Sequence, residues 1–145
     1  MHSLVYRSTA SDSFAVPEIY KMLGDARNYN ATHQITGCLL YHNKQFLQLL
    51  EGDEAQVIPL FERISKDPRH TDLTILSQSP LRNRIFDEWS MAFHDYGLNG
   101  SSAYIKMKQI DNFFEQSNAF AKPSKLAMEF FSNVKDVLFT ESLHK

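Results

Sequence analysis

The chain has 145 residues, a single cysteine and a formal net charge of −2, with ordinary apolar (43%) and charged (22%) fractions. That is the size of one domain with a short extension, enough to bury a core without staples. The charge balance argues against a dedicated nucleic-acid binder. The lone Cys38 excludes an intrachain disulfide and fits a reducing, cytoplasmic setting, and no apolar run approaches the ~20 residues needed to span a bilayer.

The start, Met1-His2-Ser3-Leu4, lacks the basic-then-apolar pattern of a secretory leader. Residues 4–8 read as a short strand and residues 9–13 as a polar turn. From Pro17 onward Ile19, Met22, Leu23 and Ala26 share one helical face, and the pattern fades near residues 29–31. Residues 35–41 are β-rich with Gly37 inside them. Asn43-Lys44 is a turn candidate, and residues 46–50 form a second apolar run, so the two runs read as a hairpin. A second helix puts Val57, Leu60, Phe61 and Ile64 on one face. Pro59 lies near its start, and Asp67-Pro68-Arg69-His70 ends it. Residues 73–76, closed by Pro80, and residues 89–93 read as two further strands.

The order β-α-β-β-α-β-β predicts an α+β domain. Its first six elements match a ferredoxin-like sheet with two helices on one face, which leaves the other face free for a ligand or more chain. Residues 97–102 are the expected linker, separating a core over 1–96 from an extension over 97–145. Two helices are expected there, over 105–120 and 123–143. In the second, Leu126, Phe130, Val134, Val137 and Leu138 form an apolar stripe that needs a cover: the free sheet face, a second copy or a partner.

The polar residues in apolar settings come next. Gln48 lies between Leu47 and Leu49, on the strand face of Phe46 and Leu50. Such an amide is either at an exposed edge, bonded to nearby backbone, or buried with a partner, since leaving it buried and unpaired costs about 1–3 kcal/mol. Tyr6 shares a strand face with Leu4 and Ser8, where tyrosine is common for packing alone. Asn30 falls at the expected helix end, where asparagine serves as a left-handed cap. Arg63 and Asp67, one helical turn apart, suit a weak surface pair. Trp89 and Met91 share a strand face, and core packing is their default role. His33, His42, His70 and His94 have no zinc-type spacing with the cysteine, and no G-x-G-x-x-G, P-loop or G-x-S-x-G is present.

Taken in order, six segments are more specific than any one residue. They are Leu4-Val5-Tyr6-Arg7-Ser8; Ala26-Arg27 with Asn30; Ile35-Thr36-Gly37-Cys38-Leu39-Leu40-Tyr41; Phe46-Leu47-Gln48-Leu49-Leu50-Glu51-Gly52; Asp67-Pro68-Arg69-His70; and Arg84-Ile85-Phe86-Asp87-Glu88-Trp89-Ser90-Met91. Over residues 2–95 this series resembles the BLUF family, the blue-light sensors using FAD.

The resemblance implies a ferredoxin-like photoreceptor, not an enzyme, with the flavin ring slotted between the two helices. It implies FAD as cofactor, with FMN and riboflavin sharing the same ring contacts. Tyr6 would be the electron donor to the excited flavin, and Gln48 the bridge between Tyr6 and the ring. Asn30 would bond the ring near O4 and N3. Arg63 and Asp67 would meet the other polar edge or the side chain, with Ile64 packed on the ring face. Trp89 and Met91 would be the strand residues whose placement changes with light. Some members carry asparagine or histidine before the ring-binding asparagine, where this chain has Tyr29.

The implied class is the short one, a sensor followed by two helices that acts on a separate downstream effector protein and forms homo-oligomers, with no membrane or direct nucleic-acid contact. Two rival readings stand beside it. One is a small ferredoxin-like hydrolase using Arg63 or Arg69 with Asn30 on a phosphate-like group. The other is a flavin-free interaction module, although the sheet lacks the paired strand aromatics of an RNA-stacking platform.

Overall fold

The computed structural model describes residues 1–12, 14–42, 44–80, 82–87, 90–95 and 131. Its elements are β1 (His2–Ala10), α1 (Val16–Thr32), β2 (Thr36–His42), β3 (Gln45–Gly52), α2 (Glu54–Ser65), β4 (His70–Pro80) and β5 (Ala92–Asp95). The strands form one sheet in the order β4-β1-β3-β2-β5. The first four strands pair antiparallel, and β5 joins β2 in parallel. This is the expected ferredoxin-like arrangement with one strand added at the edge. Both helical connections cross the same face, so α1 and α2 lie side by side over the two central strands.

Alternation along the strands sorts the side chains between two faces. Leu4, Tyr6 and Ala10 of β1, Leu39 of β2, and Phe46 and Leu50 of β3 form one core with Ile19 and Leu23 of α1 and Val57 of α2. The intervening Val5, Cys38, Leu40, Leu47 and Leu49 point the other way and are also fully buried. The second face is therefore covered rather than free. Phe131 is helical and fully buried, and its ring meets Phe86 edge-on at 6.5 Å between centroids. Apart from Phe131, the expected linker, the apolar stripe and both expected C-terminal helices lie outside the described residues.

Strand β1 runs over His2–Ala10 rather than 4–8, and three further boundaries differ from the expectation. Helix α1 runs to Thr32, so Asn30 sits inside its last turn and is not the cap. Gln34 takes the left-handed conformation instead (φ 56°), and the Ile35 N–H closes the end on the Asn30 carbonyl at 2.8 Å. The last strand begins at Ala92, after Met91, because the Ser90 and Met91 carbonyls accept side-chain bonds from Asn30 and Arg27 (2.9 and 3.0 Å) rather than ladder bonds. Met91 is thus in the bend before β5 and not on a strand face. Trp89 lies outside the described residues. Strand β4 spans eleven residues, not four. Its register against β1 slips twice, once around Asp72 (φ 55°) and once at Leu76.

At Gly37 a side chain has no room. A Cβ there would lie 2.0 Å from the Leu49 carbonyl oxygen and 3.4 Å from the Met91 methyl group. The β2–β3 connection turns through Lys44 (φ 63°), as expected of the turn candidate.

Candidate functional site

Between α1, α2 and the helix-facing side of the sheet lies a cleft of about 240 Å³, partly open to solvent. Its floor is Tyr6 and Gln48, with Leu39 and Phe46. Its walls come from Met22 to Asn30 on α1, and from Leu60, Arg63 and Ile64 on α2. Asp67, Arg69 and His70 stand along one end, and Met91 closes another side. Seven of the eight residues singled out in the sequence line it: Tyr6, Asn30, Gln48, Arg63, Ile64, Asp67 and Met91.

The floor is built by sheet register. Tyr6 of β1 is the direct cross-strand partner of Gln48 of β3, on the helix-facing side. Both are buried. The Tyr6 hydroxyl donates to Gln48 Oε1, and Gln48 Nε2 donates to the Met91 sulfur at 3.3 Å. The buried amide therefore has a partner at each end, and the exposed-edge alternative for Gln48 does not hold. Burial raises the Tyr6 phenol above its ordinary value of 10.0, and the Asp67 carboxylate raises it further. Tyr6 consequently stays protonated, and a donor, across the physiological range. The Phe61 and His70 rings lie 5.6 and 6.4 Å from the Tyr6 ring. His70 is itself fixed between Ser8 Oγ (2.8 Å) and the Ile64 carbonyl (2.6 Å).

Asn30 is buried on the α1 wall. Its Nδ2 donates to the Ser90 carbonyl, while its Oδ1 is buried with no hydrogen-bond partner. An orphan acceptor on a cleft wall calls for an N–H from whatever fills the cleft. At the far end, Asp67 does not pair with Arg63. It holds Arg69 through both carboxylate oxygens (2.9 Å from Nε, 2.5 Å from Nη2). That hydrogen bonding from Arg69 holds the Asp67 carboxyl below its ordinary value. Arg63 instead lies over the Tyr29 ring, 4.7 Å from its centroid, and Tyr29 stacks on His33 at 3.9 Å. Tyr29, at the position where the resemblance departs from the family pattern, also lines the cleft.

Sequence reasoning missed Arg69, His70 and Phe14 as cleft residues. The first two stood in the quoted Asp67-to-His70 segment, where His70 was read only as part of a helix breaker and Arg69 was otherwise considered only for the rival hydrolase. Phe14 carries no local signal; in the structure its ring meets Phe46 at 5.8 Å and the Arg69 guanidinium at 5.3 Å.

Chemically, the cleft is an apolar slot with polar groups at separate edges: a phenol–amide pair, an orphan amide oxygen, and an arginine–carboxylate pair. Its volume is close to the ~300 Å³ at which ligand pockets begin. A flat heteroaromatic ring with an imide N–H and carbonyls on its rim fits this donor and acceptor set, and the flavin ring is such a group. Among the described residues no cluster of histidine, cysteine or acidic side chains suits a metal ion, and no helix is long and apolar enough to cross a membrane.

Comparison with known proteins agrees with the geometry. The family model for sensors of blue light using FAD (BLUF) matches residues 1–92. The photoactivated adenylate cyclase subunit beta of Euglena gracilis is 38% identical over 90 residues, which is 61% of this chain and 10% of that protein. The blue light- and temperature-regulated antirepressor BluF of Escherichia coli K12 is 35% identical over 97 residues, 67% of this chain and 24% of that protein. The chain thus spans a small part of these relatives. Among solved structures, BlsA in its ground state superposes with a TM-score of 0.71 at 27% identity, covering 91% of this chain and 85% of that one. The dark-state structure of BlrB, a BLUF protein, gives 0.64 at 29%, covering 83% and 94%. The match runs through every segment that builds the cleft, and the chain belongs to the BLUF family, as a flavin-binding blue-light sensor module.

Proposed function

We propose that the cleft holds FAD by its ring and that the Tyr6–Gln48–Met91 line reports illumination to a separate downstream protein. The observation that carries this reading is the Gln48 amide, buried on the cleft floor with Tyr6 at its oxygen and Met91 at its nitrogen. FAD, when bound, supplies blue-light absorption and a strong one-electron oxidant. Tyr6 is the one-electron donor. Its proton leaves along the bond to Gln48, and both electron and proton return to Tyr6 within the cycle, so nothing is consumed.

A primary amide carries a donor and an acceptor on one group. When Gln48 rotates or tautomerises, its bonding toward Tyr6 reverses, and on rotation its bond to the Met91 sulfur is given up. The polar rim of the ring then meets a different donor pattern, which reads out as a small red shift of the absorption band. Asn30 holds the ring through its Oδ1, Ile64 packs on the ring face, and Asp67 and Arg63, with Arg69, hold the opposite polar end. Met91 and Trp89 carry the change onward.

The ring contacts are common to FAD, FMN and riboflavin, and the family description favours FAD. The domain division is 1–96 for the photosensor and 97–145 for an output and oligomerisation segment. Support for the short form comes from BlsA, whose chain this one nearly spans. The Euglena relative is a photoactivated adenylate cyclase subunit and the Escherichia coli relative an antirepressor; in both the matched region is a minor part. For this chain we read the output as a separate protein, the assembly as a homo-oligomer and the location as cytoplasmic, the last on the lone Cys38, which can form no intrachain disulfide.

The test is an absorption spectrum of the purified protein before and after blue light. A flavin band that moves slightly red and returns in the dark is the expected result. A band that only bleaches, or no band after reconstitution with FAD, overturns the reading.

A further inference from the structure

Glu51 is fully buried, and the photochemical reading does not use it. It lies three residues beyond Gln48 on β3, on the opposite face of the sheet. Its two oxygens are aimed at successive backbone amides: Oε2 accepts from the Ile85 N–H at 2.6 Å, and Oε1 from the Phe86 N–H at 3.0 Å. Oε1 also accepts from Thr36 Oγ1 at 3.0 Å. Arg84 secures the same stretch, donating to the Gln34 carbonyl (2.7 Å), to Thr36 Oγ1 (3.0 Å) and to the Glu51 carbonyl (3.2 Å). Residues 84–86 are thus fastened to the ends of β2 and β3.

Stability alone does not explain the residue. A buried carboxylate carries a large desolvation cost, and an apolar side chain of similar volume does as well or better where only packing is needed. What a carboxylate adds is two acceptors in one plane, which fix a peptide segment in position and direction.

That segment leads directly into the cleft wall. Only three residues separate Phe86 from Ser90. The Ser90 carbonyl accepts from Asn30, the Met91 sulfur accepts from Gln48, and the Met91 carbonyl accepts from Arg27. Strand β3 therefore holds both sides of the Gln48–Met91 contact: Gln48 directly, and Met91 by way of the Glu51 clamp, about 10 Å along the strand.

We infer that Glu51 is a positioning residue for the light-sensing pair: its carboxylate fixes the Ile85 and Phe86 backbone, and through that anchor sets the Met91 sulfur against the Gln48 amide. The same clamp fixes Phe86, whose ring meets Phe131. The inference rests on the functional reading above for its meaning, but its geometric core does not need light.

The experiment uses the full chain loaded with FAD, comparing Glu51→Gln with the unaltered protein. The substitution replaces one acceptor oxygen with an amide donor facing a backbone N–H. Three readouts are taken: the 13C-methyl signal of Met91 in the dark, the dark position of the flavin band, and the rate of dark recovery after blue light. Expected is a displaced and broadened Met91 signal, a small shift of the dark band, and recovery about 3- to 10-fold faster, the effect of weakening one buried hydrogen bond. Flavin content stays unchanged. A folded, flavin-loaded variant with unaltered Met91 signal and unaltered recovery overturns the inference. Thr36→Val, which removes one donor from the same carboxylate, serves as the second variant with the same two outcomes. If the unaltered protein shows no light-induced shift, the functional reading fails, and the Met91 signal alone then decides the role of Glu51.

Discussion

Tyr6 and Gln48 are direct cross-strand partners on the neighbouring interior strands β1 and β3, and their side chains bond to each other on the cleft floor. Register alone brings them together. A slip of one residue between β1 and β3 would turn one of them to the opposite face and dissolve the pair. The Tyr6–Gln48 contact is therefore a property of the strand pairing itself.

Removing the Tyr6 hydroxyl tests the electron donor. Tyr6→Phe keeps the ring packed against Phe61, so flavin stays bound, while the red-shifted state disappears. The light-minus-dark difference spectrum is the measurement, and a normal photocycle in this variant would refute the assignment.

Gln48→Leu removes the bridge but fills the volume. The expected outcome is a blue-shifted dark band and no photoshift. An unchanged dark spectrum would mean that Gln48 does not touch the ring.

Asn30 carries the orphan oxygen. Asn30→Ala deletes it together with the bond to the Ser90 carbonyl. Losing one buried hydrogen bond, worth about 1–1.5 kcal/mol, weakens flavin binding about tenfold. Titration of the apoprotein with FAD reads this directly, and an unaltered Kd would place the ring away from α1.

The Asp67–Arg69 pair gives an acid dependence with a defined sign. The folded-state carboxyl lies below its ordinary value of 3.8, so its contribution to stability is fully present above that value and is lost as pH falls through the lowered one. The Tm advantage of the unaltered protein over Asp67→Asn should therefore be constant from pH 7 to pH 5 and shrink below about pH 4. A difference that stays flat down to pH 2 would contradict the pairing.

Gly37→Ala forces a Cβ against the Leu49 carbonyl, so β2 and β3 have to part locally. A loss of about 1–3 kcal/mol is expected, read as a lower urea midpoint. Because the Met91 methyl is the next neighbour, the recovery rate of the lit state should change as well.

The strand and helix order was legible in the sequence because each element has an apolar face of its own. Leu4 and Tyr6 repeat at every second residue, and Ile19, Met22, Leu23 and Ala26 at helical spacing. The cleft residues were legible only as a series. Gln48 alone reads as an edge residue, and its partner Tyr6 lies 42 positions away, where local pattern says nothing of pairing. Asn30 was assigned to a cap because asparagine favours that place; Gln34, with weaker propensity, took it once packing carried α1 a turn further. The strand expected at 89–93 started late because its first carbonyls are claimed by Asn30 and Arg27, side chains about 60 residues upstream. Arg69 displaced Arg63 as the partner of Asp67 through a tight two-residue chelate, a contact that helical spacing does not anticipate.

Strand β4 forms one border of the sheet, and such borders recruit strands from neighbouring molecules. Its two register slips leave a straight run of only a few residues around Ile75, which is 43% exposed. A strand from another molecule laid along it falls out of step before it can zip. The two irregularities in the ladder thus work against regular edge-to-edge pairing along β4.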